Sequence, residues 1–177
     1  MSGHNKWAQI KRKKAITDAK KSKIFTKIVR YITTEAKLAK GDMNAAGLRA
    51  AIEKAKEANM PADNIERAIK KASEPSATLT PITYEAYGPA GVGIIIDTLS
   101  ENRNKTAQEI KFILSRNGYP LAGIGSVSWA FAKAHSGAPW QPQTFVEVNE
   151  QDGEVLEKLI DELEENDDVQ EVYTNAE

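Results

Sequence analysis

The stretch Ile82–Leu99, ITYEAYGPAGVGIIIDTL, decides the fold. Ile82 to Tyr87 alternates loosely, Gly88-Pro89-Ala90-Gly91 reads as a turn, and Val92 to Leu99 is a strongly apolar run. Short runs rich in β-branched residues and bounded by Gly and Pro read as strands, so the two are expected to pair as a hairpin. Downstream, Asn102 to Asn117 has helical period, with Ile110, Ile113 and Leu114 inward and Gly118 closing it. Ser126 to Lys133 alternates and places Val127, Trp129 and Phe131 on one face. Phe145, Val146 and Val148 read as a strand, Gln151 to Asn166 as a very acidic helix, and Val169 to Tyr173 as a last strand. From Val92 the order is β-α-β-β-α-β. The expected class is therefore α+β, a ferredoxin-like domain with an extra N-terminal strand.

Upstream of the hairpin the period is helical. Ile24, Phe25, Ile28, Val29, Ile32, Ala36 and Ala39 recur at i, i+3, i+4 spacing, and Gly41-Asp42 ends that run. A second helix places Leu48, Ala51, Ile52, Ala55 and Ala58 inward and breaks at Asn59-Met60-Pro61. A third, from about Ala62 to Ala72, follows Pro61, which a helix start tolerates. The organisation expected is a basic arm over 1–16, a three-helix bundle over 17–73, a linker over 74–80 and the α+β domain over 81–177.

The whole chain of 177 residues carries a formal charge of only -1. That balance conceals segregation: residues 1–73 sum to +11, residues 74–136 to zero and residues 137–177 to -12. A chain so divided presents electrostatically different pieces to its partners. There is no Cys, which excludes a disulfide framework, a thiol nucleophile and a Cys-based metal site. No apolar run approaches a membrane span, and the start lacks the apolar core of a signal peptide, so a cytoplasmic protein is expected.

Catalytic chemistry has little to work with. The chain has two His, His4 and His135, and none of the common nucleophile, zinc or phosphate-loop motifs. Gly88 to Gly93 looks like a phosphate loop but precedes a strand, whereas such a loop follows one and opens a helix. The acidic residues between Asp161 and Asp168 lack the alternation and central Gly of a calcium loop. No enzyme activity, cofactor, metal or small-molecule substrate is expected. At Asn102-Arg103-Asn104-Lys105-Thr106, Thr106 and Glu109 have capping-box spacing, with the Asn residues as alternative caps. Arg103, Asn104 and Lys105 form a possible secondary anion site there, or an ordinary helix start.

The strongest signal is the basic block. His4, Lys6, Trp7, Lys11, Arg12, Lys13 and Lys14 lie in the arm, and Lys20, Lys23, Lys27 and Arg30 line the following helix opposite its apolar side. One stripe of this density suits a phosphate backbone, although a solvated helix face has the same composition. Trp7 either stacks on a base or anchors the arm, and Tyr31 is the other aromatic candidate for stacking.

Several strings resemble the YebC/PmpR family. They are Gly3 to Trp7 (GHNKW, with Asn5 where the family has Ser), Lys20 to Lys27, Asn59 to Lys71, Tyr84 to Gly91, Glu101 to Thr106, Gly125 to Phe131 and Asp167 to Asn175. The resemblance implies a cytoplasmic bacterial protein, usually described as a DNA-binding transcriptional regulator. It is similar to the mitochondrial translational activator of cytochrome oxidase, and other members are implicated in relieving ribosome stalling. The family fold implied is a helical domain and two α+β domains, the third inserted into the second. Here only about ten residues, 134–143, stand where that insertion would be. With the motif beginning at residue 3, no mitochondrial presequence is expected, and a bacterial cytoplasmic member is favoured over an organellar precursor.

Three functions are thereby in play. The first is a regulator that grips duplex DNA through arm and first helix. The second is a ribosomal-RNA or ribosome-associated translation factor using the same stripe. The third is a protein-interaction module that does not bind nucleic acid. No membrane partner is expected.

Overall fold

A computed structural model describes residues 18–76, 78–135 and 137–177. It divides into two units. Among the described residues, one is helical, from 18 to 79 together with 133–139; the other holds the sheet, over 80–132 and 140–177.

In the helical unit, α1 (Asp18–Ala39) packs on α2 (Ala46–Glu57) and α3 (Ala62–Lys71). The core is Ile28, Ile32 and Ala36 of α1 against Leu48, Ala51 and Ala55 of α2 and Ile65 and Ala68 of α3. Each break has a local cause. Lys40 and Gly41 take positive φ after α1, and Asp42 then accepts the Asn44 N–H at 2.9 Å. At the end of α2, Asn59 takes φ 58, and Met60 N–H reaches back to Ala55 O at 2.9 Å. That six-residue closure satisfies carbonyls the helix leaves open and turns the chain into Pro61.

In the sheet unit, β1 (Thr80–Tyr87) and β2 (Gly93–Ser100) form the expected antiparallel hairpin, with Tyr84 opposite Ile96 and Glu85 opposite Ile95. Its turn holds Ala90 at φ 55 and Gly91 at φ 77. Next come α4 (Arg103–Arg116), β3 (Leu121–Ala122), β4 (Phe131–Ala132), β5 (Gln141–Pro142), α5 (Glu150–Glu165) and β6 (Val169–Thr174). The main sheet runs β3-β1-β2-β6, every neighbouring pair antiparallel. Both β2 and β3 are antiparallel to β1, so they are parallel to each other with β1 between them. With α4 as the crossover, this is a split βαβ unit, and the α+β class stands.

The strand inventory differs from the sequence reading in two ways. Strand β1, expected as an addition in front, is a central strand. The segments 126–133 and 145–148, expected as the middle strands, do not enter the main sheet. Ser128–Ala130 is a turn of 3-10 helix, Phe131–Ala132 pairs only with Gln141–Pro142, and Val146 makes a single bridge to Ala176. The helical turn breaks the alternation, so Val127 and Phe131 are buried while Trp129 is 66% exposed.

Strand β2 is buried on both faces. Ile94 and Ile96 meet Ile110 and Leu114 of α4 and Leu156, Leu159 and Leu163 of α5. Ile95 meets Val127, Ala130 and Phe131 on the opposite face. Full burial of each Ile contributes about 1.5–3 kcal/mol, which makes β2 the axis of the unit. The ends of α4 and α5 are tied where Arg116 Nε and Asn117 Nδ2 both donate to Glu162, at 3.1 and 2.7 Å.

Candidate nucleic-acid interface

His4, Lys6, Trp7, Lys11, Arg12, Lys13 and Lys14 lie outside the described residues. The remaining cations of the stripe stand on α1. Their spacing of three and four residues puts Lys20, Lys23, Lys27 and Arg30 along one side. Ile28, Ile32 and Ala36 are buried on the other. Lys20 is exposed, whereas Lys23, Lys27 and Arg30 are half-buried, and all four make polar or electrostatic contacts. Ile24, expected inward, is 39% exposed. The apolar side of α1 is therefore fully covered only from Ile28 onward.

The C-terminal part of the cationic side is covered. Thr34 is buried, and Tyr31 Oη donates to Gly137 O at 2.7 Å. Tyr31 is thus committed to the segment 133–139 and is not a free stacking group. Glu35 lies beside it, over Gly47. Burial pushes the Glu35 carboxyl above its ordinary range, against the opposing pull of Lys133 and His135. A side chain at Gly47 would meet the Glu35 carboxylate, and one at Gly137 would stand 2.7 Å from Tyr31 Oη. Two glycines therefore permit this close approach. The sequence marks 134–143 as a Pro-rich loop but gives no sign that part of it joins the helices.

Arg103, Asn104 and Lys105 occupy the exposed first turn of α4. The cap is Asn102, whose side chain accepts Lys105 N–H at 3.1 Å, and not the Thr106–Glu109 box. Thr106 is instead buried inside the first turn. Its hydroxyl lies 2.6 Å from Ser100 Oγ and donates to Asp168 Oδ2 at 2.6 Å. Asp168 thus brings a carboxylate to the positive end of the helix from within the chain. Lys105 pairs with Glu109 at 3.7 Å, an exposed contact of small value. Burial raises the nearby Tyr84 phenol above its ordinary range, Arg103 opposes this and Asp168 adds to it.

A further feature is invisible in the sequence pattern. Glu85 is only 5% exposed. Its carboxylate accepts backbone N–H groups from Gly125 at 2.8 Å, Val127 at 2.6 Å and Ser128 at 2.8 Å. Burial alone would raise its pKa. The three backbone donors, with a Ser128 side-chain bond, outweigh that and hold it below the usual carboxylate range. The loop so fixed displays Ile124 and Trp129 to solvent, and both Trp129 Nε1 and Tyr87 Oη donate to Ser126 O. The one signal for it along the chain is a lone Glu in an apolar strand, together with a Gly-rich segment elsewhere whose N–H groups need acceptors.

Among the described residues no group of His, Asp and Glu has the arrangement to hold a metal ion. No described helix is long and apolar enough to cross a membrane.

Comparison with known proteins agrees with the resemblance. The TACO1/YebC protein N-terminal domain matches residues 5–75. The TACO1/YebC second and third domain matches in two segments, 79–136 and 132–176. A probable transcriptional regulatory protein of Pseudothermotoga lettingae is 37% identical over 238 aligned positions, covering 100% of this chain and 94% of that one. Another, of Thermoanaerobacter pseudethanolicus, is 40% identical over 239 positions, with 100% and 97% covered. The crystal structure of a conserved hypothetical protein from Aquifex aeolicus superposes with a TM-score of 0.78 at 30% identity, covering 97% of this chain and 96% of the other.

Proposed function

The chain belongs to the TACO1/YebC family, and on that premise we propose that it is a non-enzymatic regulator of gene expression that grips nucleic-acid phosphates through its basic arm and the cationic side of α1. The relatives' shared name, probable transcriptional regulatory protein, supports a regulatory role. The observation that carries the grip is the register of Lys20, Lys23, Lys27 and Arg30 on one side of α1, continuous in sequence with an arm of five Lys and Arg. Cations spaced along a helix follow a backbone and read no base edge. The charge pattern does not separate DNA from RNA; the relatives' name makes duplex DNA the first target in this reading, with the cytoplasm as the proposed site of action.

The cations extend from Lys20 to Arg30 of α1 (Asp18–Ala39) rather than being confined to its first turn, where a base-reading helix would have them. That favours a second reading, in which the same side of α1 grips folded ribosomal RNA and the protein acts in translation. The matched segments 79–136 and 132–176, and alignments of 238 positions against 177 residues, support a third-domain insertion reduced to the loop at 134–143. Any partner surface supplied by that insertion in the longer relatives is then absent here.

The test is anisotropy titration of the full chain with duplex DNA, single-stranded RNA and purified ribosomes over a range of salt. Backbone gripping requires log affinity to fall linearly with log salt, with a slope reporting the number of phosphates engaged. Affinity for duplexes of any sequence supports the regulator reading. Affinity confined to ribosomes favours translation. Absence of binding at low salt leaves the protein-interaction module.

A further inference from the structure

We infer that Asn117-Gly118 is a spontaneous deamidation site that the fold holds shut, with the Glu162 carboxylate as its lock, and that its modification irreversibly unties the end of α4 from α5. This goes beyond the function proposed above and does not rest on it.

Asn117-Gly118 is the one Asn-Gly pair in the sequence. In such a pair the backbone nitrogen of the glycine attacks the side-chain carbonyl carbon of the asparagine. A C–N bond forms to Cγ, and the side-chain nitrogen takes up the glycine N–H proton and leaves as ammonia. Water then opens the cyclic imide at either carbonyl, giving aspartate or its isoaspartyl isomer. Water is the sole co-reactant, and nothing is oxidised or reduced. Glycine favours the attack because no Cβ crowds its nitrogen. Gly118 is exposed, and nothing lies within 4 Å of where a side chain on it would stand. Water therefore reaches the pair without obstruction.

The folded chain withholds each group the attack needs. Gly118 N–H donates to Ser115 O at 3.0 Å. Asn117 Nδ2 donates to Ile113 O at 2.9 Å and to Glu162 Oε2 at 2.7 Å. Asn117 has ψ 1°, which lines the Gly118 nitrogen up with the Asn117 backbone nitrogen and not with its side chain. Attack therefore waits for the last turn of α4 to open, and its rate follows the population of that opened form. The bonds to Ser115 and Ile113 are local to the helix end, whereas the bond to Glu162 comes from α5. It is also the charged one and so the strongest. Donation from Asn117 is the leading cause that holds the Glu162 carboxyl below its usual range, so the acceptor is the carboxylate.

Modification runs one way. The product carries a carboxylate where Nδ2 stood, so Glu162 faces a like charge in place of a donor. The isoaspartyl form also adds Cβ to the main chain, at the turn that brings Tyr119 N–H back to Leu114 O at 3.0 Å. Neither product restores the closure. Each opening that ends in reaction is stored, and the modified fraction records how long the α4–α5 tie has stood open.

The test incubates the full chain at mildly alkaline pH and follows residue 117 by peptide mass spectrometry, which separates the asparaginyl, aspartyl and isoaspartyl forms. The lock requires the denatured chain to react fastest. Glu162→Ala should react about tenfold faster than folded wild type, as expected for the loss of one hydrogen bond to a charged group. Glu162→Gln keeps a neutral acceptor in the same place and should fall between the two, which preserves the comparison if the alanine variant loses its fold. Arg116→Ala removes the 3.0 Å ion pair to Glu162 but leaves the Asn117 bond, so it should react at the wild-type rate. Asn117→Asp makes one product directly and should speed hydrogen exchange of the α4 amides about tenfold. Folded wild type reacting as fast as the denatured chain overturns the lock. Both Glu162 variants reacting at the wild-type rate, or Arg116→Ala matching Glu162→Ala, overturn the role of Glu162. An unreactive Asn117 in the denatured chain overturns the site, and unchanged exchange in Asn117→Asp overturns the untying.

Discussion

The carboxylate of Glu85 accepts the backbone N–H of Val127 at 2.6 Å, joining the centre of β1 to a loop forty-two positions later. Two more N–H groups, from Gly125 and Ser128, converge on the same carboxylate. One side chain thus does for this loop what a neighbouring strand would do for a sheet edge. Glu85→Ala removes the acceptor of the buried Val127 N–H and of the part-buried Gly125 and Ser128 N–H groups. It should cost about 2–4 kcal/mol, read from chemical unfolding as a fall in midpoint at unchanged slope. It should also shift the Trp129 fluorescence, because the loop that carries Trp129 is no longer anchored.

Acid weakens the same contact. The folded pKa of Glu85 lies below its ordinary value, so the folded state binds this proton less readily than the unfolded chain. Its stabilisation is fully present above the ordinary carboxylate range and disappears as pH falls through the folded pKa. The difference in thermal midpoint between wild type and Glu85→Gln should therefore be constant near neutrality and shrink below about pH 4. A difference that persists undiminished to pH 2 contradicts the assignment.

Gly137 has φ +82, and an added Cβ would lie 2.7 Å from Tyr31 Oη. Gly137→Ala combines backbone strain with disruption of the Tyr31 hydrogen bond and should destabilise the helical unit by about 1–3 kcal/mol. Tyr31→Phe removes the bond alone and should cost about 1 kcal/mol. Hydrogen exchange of the α1 amides separates the two effects from changes in the sheet unit.

Thr106 is fully buried and links Ser100 to Asp168. Thr106→Val preserves shape but removes the buried hydroxyl's bonds to Ser100 and Asp168 and should cost about 1–3 kcal/mol. Thr106→Ser keeps the hydroxyl and should recover most of that. Calorimetric unfolding of the two variants provides the comparison.

Replacing Lys20, Lys23, Lys27 and Arg30 with Gln should weaken polyanion binding alike for every sequence. The salt slope should fall by about one for each phosphate that is no longer neutralised. Circular dichroism should be nearly unchanged, because Gln is close to Lys and Arg in helix propensity. A weakening confined to one sequence would mean base reading and contradict a backbone grip.

Much of the fold is legible along the chain. The helical periods of α1 to α5, the Gly118 closure and the β1–β2 hairpin all follow from spacing and from residues with special backbone freedom. The middle strands are not legible in this way. Val127, Trp129 and Phe131 alternate in sequence, but Ser128–Ala130 winds into a 3-10 turn and turns Trp129 outward. Alternation records which residues are apolar. It does not record whether a neighbouring strand is within reach. The α4 start is ambiguous for a similar reason. Asn102, Asn104 and Thr106 all have capping chemistry, and the contact of Thr106 with Asp168, sixty-two residues away, leaves Asn102 as the cap.

The sequence alone determined the segregation of charge, the amphipathic helices and the apolar hairpin, because each arises from neighbours along the chain whose period or sign is local. Tertiary structure alone decided that β1 lies inside the sheet and that residues 133–139 join the helices. It also decided that Glu85 is consumed by a loop. These depend on which distant groups meet in space. A carboxylate's role is set by the donors and charges it meets there, and their positions are not written in the residues beside it.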